Sequence, residues 1–131
     1  MKAISTADAP RALGPYSQGI LAGDIVYLAG QIGLNPGTMT LEEGIEPQIR
    51  RVFGNLRSVC RTAGGDLSLV VKLTLYLTDF SSWPIVNEVM SEYFQEPYQA
   101  RTTIVVASLP LNAAIEVDAV MHLTSSRQLR G

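Results

Sequence analysis

The sequence predicts an α+β fold in which a mixed β-sheet of about six strands carries two helices on one face. Two stretches place apolar residues at three- and four-residue steps, and the remaining segments alternate apolar with polar residues or are rich in β-branched residues. The predicted order is strand, strand, strand, helix, strand, helix, strand, strand. Because a chain of 131 residues suits one core, we expect residues 1–131 to form a single domain.

The N-terminal third predicts a short edge strand, a loop and then a hairpin. Gly23-Asp24 suits the hairpin turn, because glycine readily adopts the positive φ that a two-residue turn needs. Asn35-Pro36-Gly37 marks a further turn. The three strands are expected at residues 2–5, 17–22 and 25–29.

The first helix is predicted to begin near Ile45 and to end at Gly64-Gly65. Pro47 fits this start, because proline is tolerated in the first turn of a helix. The apolar stripe consists of Ile49, Val52, Phe53, Leu56, Val59, Cys60 and Ala63. Since Cys60 lies on this stripe, we interpret it as a core residue rather than a nucleophile.

The second helix follows a strand predicted at residues 71–78, where apolar and polar residues alternate. Ser82 is the expected N-cap, and Pro84 lies in the first turn. The buried stripe is expected to contain Ile85, Val86, Val89, Met90, Tyr93 and Phe94. Asn87 lies beside the stripe. We therefore expect it to be either a surface residue or a residue at the rim of a site.

Two β-type runs complete the fold, at residues 102–107 and 114–123, and a short loop joins them. We expect these two strands to pair as neighbours. The run at 104–107 is apolar at consecutive positions, which predicts burial on both faces. Two helices cover only one face, so we expect a second subunit to cover the other. The polar tail at 124–131 is expected to fray.

Composition and residue inventory exclude several classes of function. The net charge is −2 and no basic stripe is visible, which argues against a nucleic-acid partner. The single cysteine, the absence of a signal-peptide pattern and the lack of a membrane-spanning stretch favour a cytoplasmic protein. His122 is the only histidine, so we expect neither a metal site nor a serine–histidine–acid triad. No phosphate-binding glycine loop or dinucleotide fingerprint is present.

The remaining candidates for chemistry are Arg101, Glu116 and Tyr16, with backbone groups near Gly30 and Thr103. A guanidinium binds a carboxylate through two hydrogen bonds, and an ionised glutamate can orient or deprotonate water. On neighbouring strands, Arg101 and Glu116 could face one small pocket and hydrolyse a small reactive acid. The alternative is that they form a buried ion pair with each other. Tyr16 could equally be a packed aromatic residue, and Gly30 could serve close packing of strands.

Several motifs in this order resemble the RidA/YjgF family, the reactive-intermediate deaminases once grouped with endoribonuclease L-PSP. The motifs are Gly14-Pro15-Tyr16-Ser17-Gln18-Gly19, Ala29-Gly30-Gln31-Ile32, Val86-Asn87, Ala100-Arg101-Thr102-Thr103, Leu109-Pro110-Leu111 and Ile115-Glu116-Val117. The resemblance covers the chain from Ala9 to about Ala119. It implies a chorismate-mutase-like fold, a homotrimer whose sheets form a central barrel, and active sites between subunits.

The resemblance also implies a reaction, the cofactor-independent hydrolysis of 2-iminobutanoate and 2-iminopropanoate, or their enamine tautomers, to 2-oxo acids and ammonia. Arg101 would bind the substrate carboxylate, Glu116 would hold and activate the water, and the backbone of Thr103 would contact the imine nitrogen. The rest of the pocket is assigned to Tyr16, Gly30 and Asn87.

The sequence departs from the family pattern at three positions. Gln99 replaces a proline that many relatives carry, Ala29 replaces a serine of some members, and Thr103 replaces a cysteine of others. Gln99 could alter the width of the pocket, whereas Arg101 and Glu116 are retained. Two alternative functions stay open, a non-catalytic protein that binds 2-oxo acids and, with less support from the residues, an endoribonuclease or translation inhibitor.

Overall fold

The computed structural model describes residues 1–123 as a six-stranded mixed sheet with two helices on one face. The helices are α1 (Ile45–Thr62) and α2 (Trp83–Tyr93). The strands are β1 (Lys2–Ile4), β2 (Gly19–Ala22), β3 (Ile25–Ile32), β4 (Val70–Leu77), β5 (Ala100–Val105) and β6 (Ile115–His122). The predicted class, strand number and element order are confirmed, and the predicted frayed tail at 124–131 lies outside the described residues.

The strands are ordered β1-β2-β3-β6-β4-β5 across the sheet. All neighbouring pairs are antiparallel except β4 and β5, which are parallel and connected through α2. The expected pairing of the last two strands is therefore wrong, because β4 lies between β5 and β6. A parallel pair needs a helical crossover, and α2 provides it and carries β5 to the outer edge of the sheet.

The core lies between the sheet and the two helices. Ile115, Val117, Leu75 and Leu77 are fully buried on the helix-bearing face, where they meet the apolar stripe of α1. Phe53 is the largest fully buried side chain of that stripe. The alternation that predicted β4 and β6 thus selects the face that packs against the helices.

The limits of α1 agree with the prediction. The helix begins at Ile45 and ends at Thr62, and Gly64 beyond it adopts φ +100°, a conformation that favours glycine. Cys60 is fully buried within the core, and burial raises the pKa of its thiol to about 12. Its interpretation as a core residue is confirmed.

The start of α2 differs from the prediction in one respect. Ser82 occupies the N-cap position, but its side chain makes no capping hydrogen bond. Ser82 belongs to a short 3-10 turn, Phe80–Ser82, whose own cap is Asp79, and the Asp79 carboxylate accepts a hydrogen bond from the Ser81 amide at 2.8 Å. The 3-10 turn thus places the capping side chain one turn earlier than expected.

The helix-free face of the sheet is open in the single chain. Tyr27 is 53% exposed and Ile104 is 43% exposed. The predicted burial of both faces of β5 is therefore not met within one chain. Neither helix of the described residues has the combination of length and apolarity required to span a bilayer.

Candidate active site

Arg101 lies beneath α2, on the helix-bearing side of β5. Its cross-strand neighbour in β4 is the buried Leu73, which fixes the side of the sheet from which the guanidinium projects. The Nη1 atom donates to the Met90 Sδ atom at 3.3 Å, and the guanidinium carbon lies 4.6 Å from the centre of the Trp83 ring. These contacts hold the cation against an aromatic face and a soft sulfur atom.

The charge of Arg101 has no carboxylate partner among the described residues. All four arginines of α1, by contrast, lie within 4 Å of a carboxylate oxygen. Burial without a compensating anion lowers the pKa of Arg101 from its usual value. The guanidinium is therefore partly desolvated, fixed in position and free to bind an incoming anion.

Arg101 opens into a cavity of about 340 Å³ between β4, α2 and the segment before β5. Asn87 lines this cavity, and its side-chain amide makes no hydrogen bond to any described residue. Gln99 also lines it, as expected for a residue that could set the width of the pocket. The other lining residues are Leu73, Met90, Ser91, Phe94 and Tyr98.

Glu116 projects from the helix-free face of β6 and lies over Gly30 of β3. A Cβ atom added at Gly30 would stand 2.6 Å from the Glu116 Oε2 atom and 2.9 Å from its Cδ atom. The register shifts between Leu28 and Gln31, so that Ala29 and Gly30 together oppose one residue of β6. This β-bulge and the missing side chain together create the space that the carboxylate occupies.

The Glu116 carboxyl group has a raised pKa. Desolvation by burial is the main cause, and the negative charge of Asp118 is the second. The shift brings the carboxyl group closer to the range in which it can exchange protons near neutral pH.

A second cavity, of about 220 Å³, contains Glu116, Gly30 and Tyr16. Tyr16 is 53% exposed, and its hydroxyl oxygen accepts a hydrogen bond from the Leu13 amide at 3.3 Å. The predicted site residues therefore line two separate cavities: Arg101 and Asn87 line the first, and Glu116, Gly30 and Tyr16 line the second.

Thr103 follows Arg101 by two positions in β5, and its hydroxyl is buried without a hydrogen-bond partner among the described residues.

The structure does not bring Arg101 and Glu116 together within one chain. They project from opposite faces of the sheet, and β4 separates their strands. The expected shared pocket on neighbouring strands is wrong for the single chain, and the alternative of an ion pair between them is also excluded for the described residues. The candidate residues form two groups in one chain, which we call the Arg101 half-site, with Asn87, and the Glu116 half-site, with Tyr16 and Gly30.

Two buried amides of α1 hold the Glu116 half-site in place, and sequence reasoning missed both. The Gln48 Oε1 atom accepts a hydrogen bond from the Ala114 amide at 2.9 Å, just before β6. The Asn55 Nδ2 atom donates to the Leu34 carbonyl at 2.9 Å, just beyond β3. One feature of the sequence could have indicated them. Gln48 and Asn55 are seven residues apart, so they lie on the same side of α1, next to its apolar stripe.

The fold and the two half-sites define a small α+β protein with a partly buried glutamate and an arginine that has no carboxylate partner among the described residues. Residues 6–123 match the family model described as Endoribonuclease L-PSP. The chain therefore belongs to this family, also called the RidA/YjgF family, and the resemblance found in the motifs is confirmed.

Individual relatives agree with this assignment. A 2-iminobutanoate/2-iminopropanoate deaminase of Dermatophagoides farinae is 41% identical over 119 residues, which cover 90% of this chain and 93% of that protein. The crystal structure of RidA from an Antarctic Psychrobacter bacterium superimposes with a TM-score of 0.92 at 41% identity, covering 93% of this chain and 99% of the other. The crystal structure of Escherichia coli TdcF with bound serine gives 0.89 at 32% identity, covering 93% and 98%.

Proposed function

We propose that this protein is a deaminase that hydrolyses 2-iminobutanoate and 2-iminopropanoate, or their enamine tautomers, to 2-oxo acids and ammonia. The observation that carries the proposal is the guanidinium of Arg101, which opens into a cavity without a carboxylate partner among the described residues. The name of the Dermatophagoides relative, and the serine bound to E. coli TdcF, support a small substrate with a carboxylate beside a nitrogen-bearing carbon.

The proposed assembly is a homotrimer with a chorismate-mutase-like arrangement, in which the open sheet faces form a central barrel. Three observations support it. The helix-free face exposes apolar side chains, the outer edge of β5 pairs with no strand of residues 1–123, and the two half-sites lie on opposite faces of the sheet. In this assembly the Arg101 half-site of one subunit meets the Glu116 half-site of the next, so that each active site lies between subunits.

The proposed mechanism begins with the substrate carboxylate bound to Arg101 through two charge-assisted hydrogen bonds. Glu116 takes a proton from a water molecule as the water oxygen adds to the carbon of the protonated C=N bond, which gives a neutral carbinolamine. Glu116 then returns this proton to the nitrogen. As the C–N bond breaks, the hydroxyl group gives its proton to Glu116, and ammonia and the 2-oxo acid are released. Hydrolysis changes no oxidation state, so this sequence of steps requires no cofactor.

The other predicted residues complete the proposed site. The backbone of Thr103 contacts the imine nitrogen, and Asn87 and Tyr16 line the walls of the pocket. Gly30 provides the space for Glu116, so its role is to position the carboxylate rather than to admit the ligand directly. Fixing the water beside a bound substrate makes its addition effectively intramolecular.

The test is a coupled assay in which a threonine dehydratase generates 2-iminobutanoate in a buffer without amine catalysts, and 2-oxobutanoate is followed over time. We expect Arg101→Ala to lower kcat/KM by about 100-fold, because it removes hydrogen bonds to a charged group. Arg101→Lys restores only part of the activity, since lysine lacks the planar fork. Arg50→Ala is the matched control, because Arg50 pairs with Glu46 and Glu92 on the surface.

Two outcomes would contradict the deaminase. If the wild-type protein folds and does not accelerate the reaction, the proposed function is wrong for this substrate. Saturable binding of 2-oxobutanoate without turnover, lost in Arg101→Ala and retained in Glu116→Gln, would favour the alternative of a 2-oxo acid binding protein. RNA is the weaker alternative, because the net charge is −2 and the α1 arginines are already paired with carboxylates.

A further inference from the structure

Glu116 has two ionisable neighbours on the helix-free face of the sheet, Asp118 and Tyr76. Asp118 follows Glu116 by two positions in β6, so both side chains project from the same face. Tyr76 of β4 lies directly opposite Glu116 in the register, and its hydroxyl donates to the Asp118 Oδ2 atom at 3.0 Å. The hydrogen bond fixes the Asp118 carboxylate on the face from which Glu116 projects.

We propose that Asp118 is a positioning residue for the deamination, which acts through Glu116 by keeping a negative charge, held by Tyr76, beside that carboxylate. The proposal rests on the proposed function, because Glu116 is the group that exchanges protons with water and substrate. Asp118 itself does not touch the substrate in this scheme.

The physical basis is repulsion between two carboxylates in a partly desolvated place. A second negative charge makes ionisation of Glu116 less favourable, and the charge of Asp118 accordingly raises the pKa of Glu116, second to burial. A general base that must also return a proton works best when its pKa lies near the working pH. A neighbouring subunit that covers this face would strengthen the repulsion by removing water from between the two carboxylates. The Arg101 guanidinium that it brings to the same site would act in the opposite direction, so the charge of Asp118 also offsets the effect of that cation on the pKa of Glu116.

The other charged and titratable groups around Glu116 do not cancel this arrangement, because burial and the charge of Asp118 are the causes that shift its pKa. Arg11, which is exposed, and Tyr16 line the same cavity from the N-terminal loop. Strand β3 contributes Gly30, which has no charge, and Tyr27, which lies opposite Val120 rather than Glu116. On β4 the nearest cation is Lys72, whose Nζ atom binds the Leu73 carbonyl and the hydroxyls of Thr74 and Thr102. Within residues 1–123, Asp118 has no ion-pair partner within 4 Å. His122 lies on the same face, at the far end of β6.

The decisive variant is Asp118→Asn, which removes the charge but keeps an oxygen that can accept the hydrogen bond of Tyr76. We expect the pKa of Glu116, measured by ¹³C NMR titration of the labelled carboxyl group in the full chain, to fall. We also expect the acid limb of the kcat/KM profile to shift to lower pH, because Glu116 must be ionised to act as a base. Asp118→Glu retains the charge and should return the limb towards that of the wild type.

Asp24→Asn is the matched control. It changes the net charge by the same amount, but Asp24 lies in the turn between β2 and β3, so neither the pKa of Glu116 nor the pH profile should change. An unchanged Glu116 pKa in Asp118→Asn would overturn the inference, and so would a lowered pKa with an unchanged pH profile. Circular dichroism and thermal unfolding establish that each variant is folded. The NMR titration needs no turnover, so failure of the inference can be separated from failure of the proposed deaminase, which would show as an inactive wild-type protein.

Discussion

Gly30 shows how a single residue couples the backbone to the candidate chemistry. The sequence identified it as a place of close approach, and the structure shows that the approaching group is the Glu116 carboxylate rather than another strand's backbone. The bulge in β3 and the absence of a side chain at Gly30 together provide the space that the Glu116 carboxylate occupies. Glu116 can lie over β3 only because no side chain is present there.

We therefore expect Gly30→Ala to impair catalysis more than folding. Its methyl group would stand 2.6 Å from the Glu116 Oε2 atom, which forces the carboxylate to move. A displacement of this kind lowers kcat by about 100-fold when a reacting group must be held in place. The measurement is the coupled assay together with thermal unfolding of the same preparation.

The matched control for Gly30→Ala is Gly54→Ala in the middle of α1. A Cβ atom there meets no atom within 4 Å, and alanine favours the helix by about 0.5–1 kcal/mol. We expect this variant to be slightly more stable and fully active. Full activity of Gly30→Ala would show that the position of Glu116 does not limit the reaction.

Residue types alone identified Arg101 and Glu116 as the candidate groups, because few other residues could carry this chemistry. They did not identify Trp83, which lies over the guanidinium, or Gln48 and Asn55, which hold the Glu116 half-site. These contacts join residues distant in the sequence, and local patterns do not encode which distant side chain meets which. The individual roles assigned to the site residues stay predictions.

At the scale of elements, local patterns predicted the strands and helices, and the pairing of strands was the part that failed. Alternation in β4 and β6 correctly selected their buried faces, and Gly64 correctly marked the end of α1. The short loop between β5 and β6 suggested that these strands pair as neighbours, but β4 lies between them. Which strands pair is decided by the helical crossover and by burial across the whole sheet, and neither is visible in a local window.

The contact between α1 and the end of β3 depends on a buried amide. Asn55 is 1% exposed, and its Nδ2 atom donates to the Leu34 carbonyl. We expect Asn55→Ala to lower the free energy of unfolding by about 1–3 kcal/mol, because the carbonyl would remain buried without this donor. Urea unfolding of the purified protein measures the loss.

Ser58→Ala is the control for this prediction. Ser58 lies on the same helix, is only partly buried, and donates to the Gly54 carbonyl at 3.1 Å within the helix. Its removal should change the free energy of unfolding by less than about 0.5 kcal/mol. If both variants lower the free energy of unfolding equally, the hydrogen bond from Asn55 to the Leu34 carbonyl contributes no more to stability than the hydrogen bond of Ser58 within the helix.

At the scale of the whole molecule, two features of the single chain support the same proposed assembly. Its helix-free sheet face is open, and its two half-sites point away from each other. Association through the open face would cover apolar residues such as Ile104 and would bring unlike half-sites of neighbouring subunits together. The exposed face and the divided site thus favour the same proposed trimer.

The proposed trimer makes a prediction that a site within one chain does not. Arg101→Ala and Glu116→Gln proteins should each keep no more than about 1% of the wild-type activity alone, whereas trimers assembled from both should regain activity. If each site takes Arg101 from one subunit and Glu116 from the next, every mixed trimer contains one intact site of three, so the isolated mixed trimers should reach about a third of the wild-type kcat. The two variants are unfolded and refolded together, the mixed trimers are isolated by two different affinity tags, and kcat is compared with that of refolded wild type. Refolding each variant alone is the control. Because no chain of the mixed trimers carries both Arg101 and Glu116, activity there requires a site shared between subunits. Mixed trimers without activity would contradict such a site.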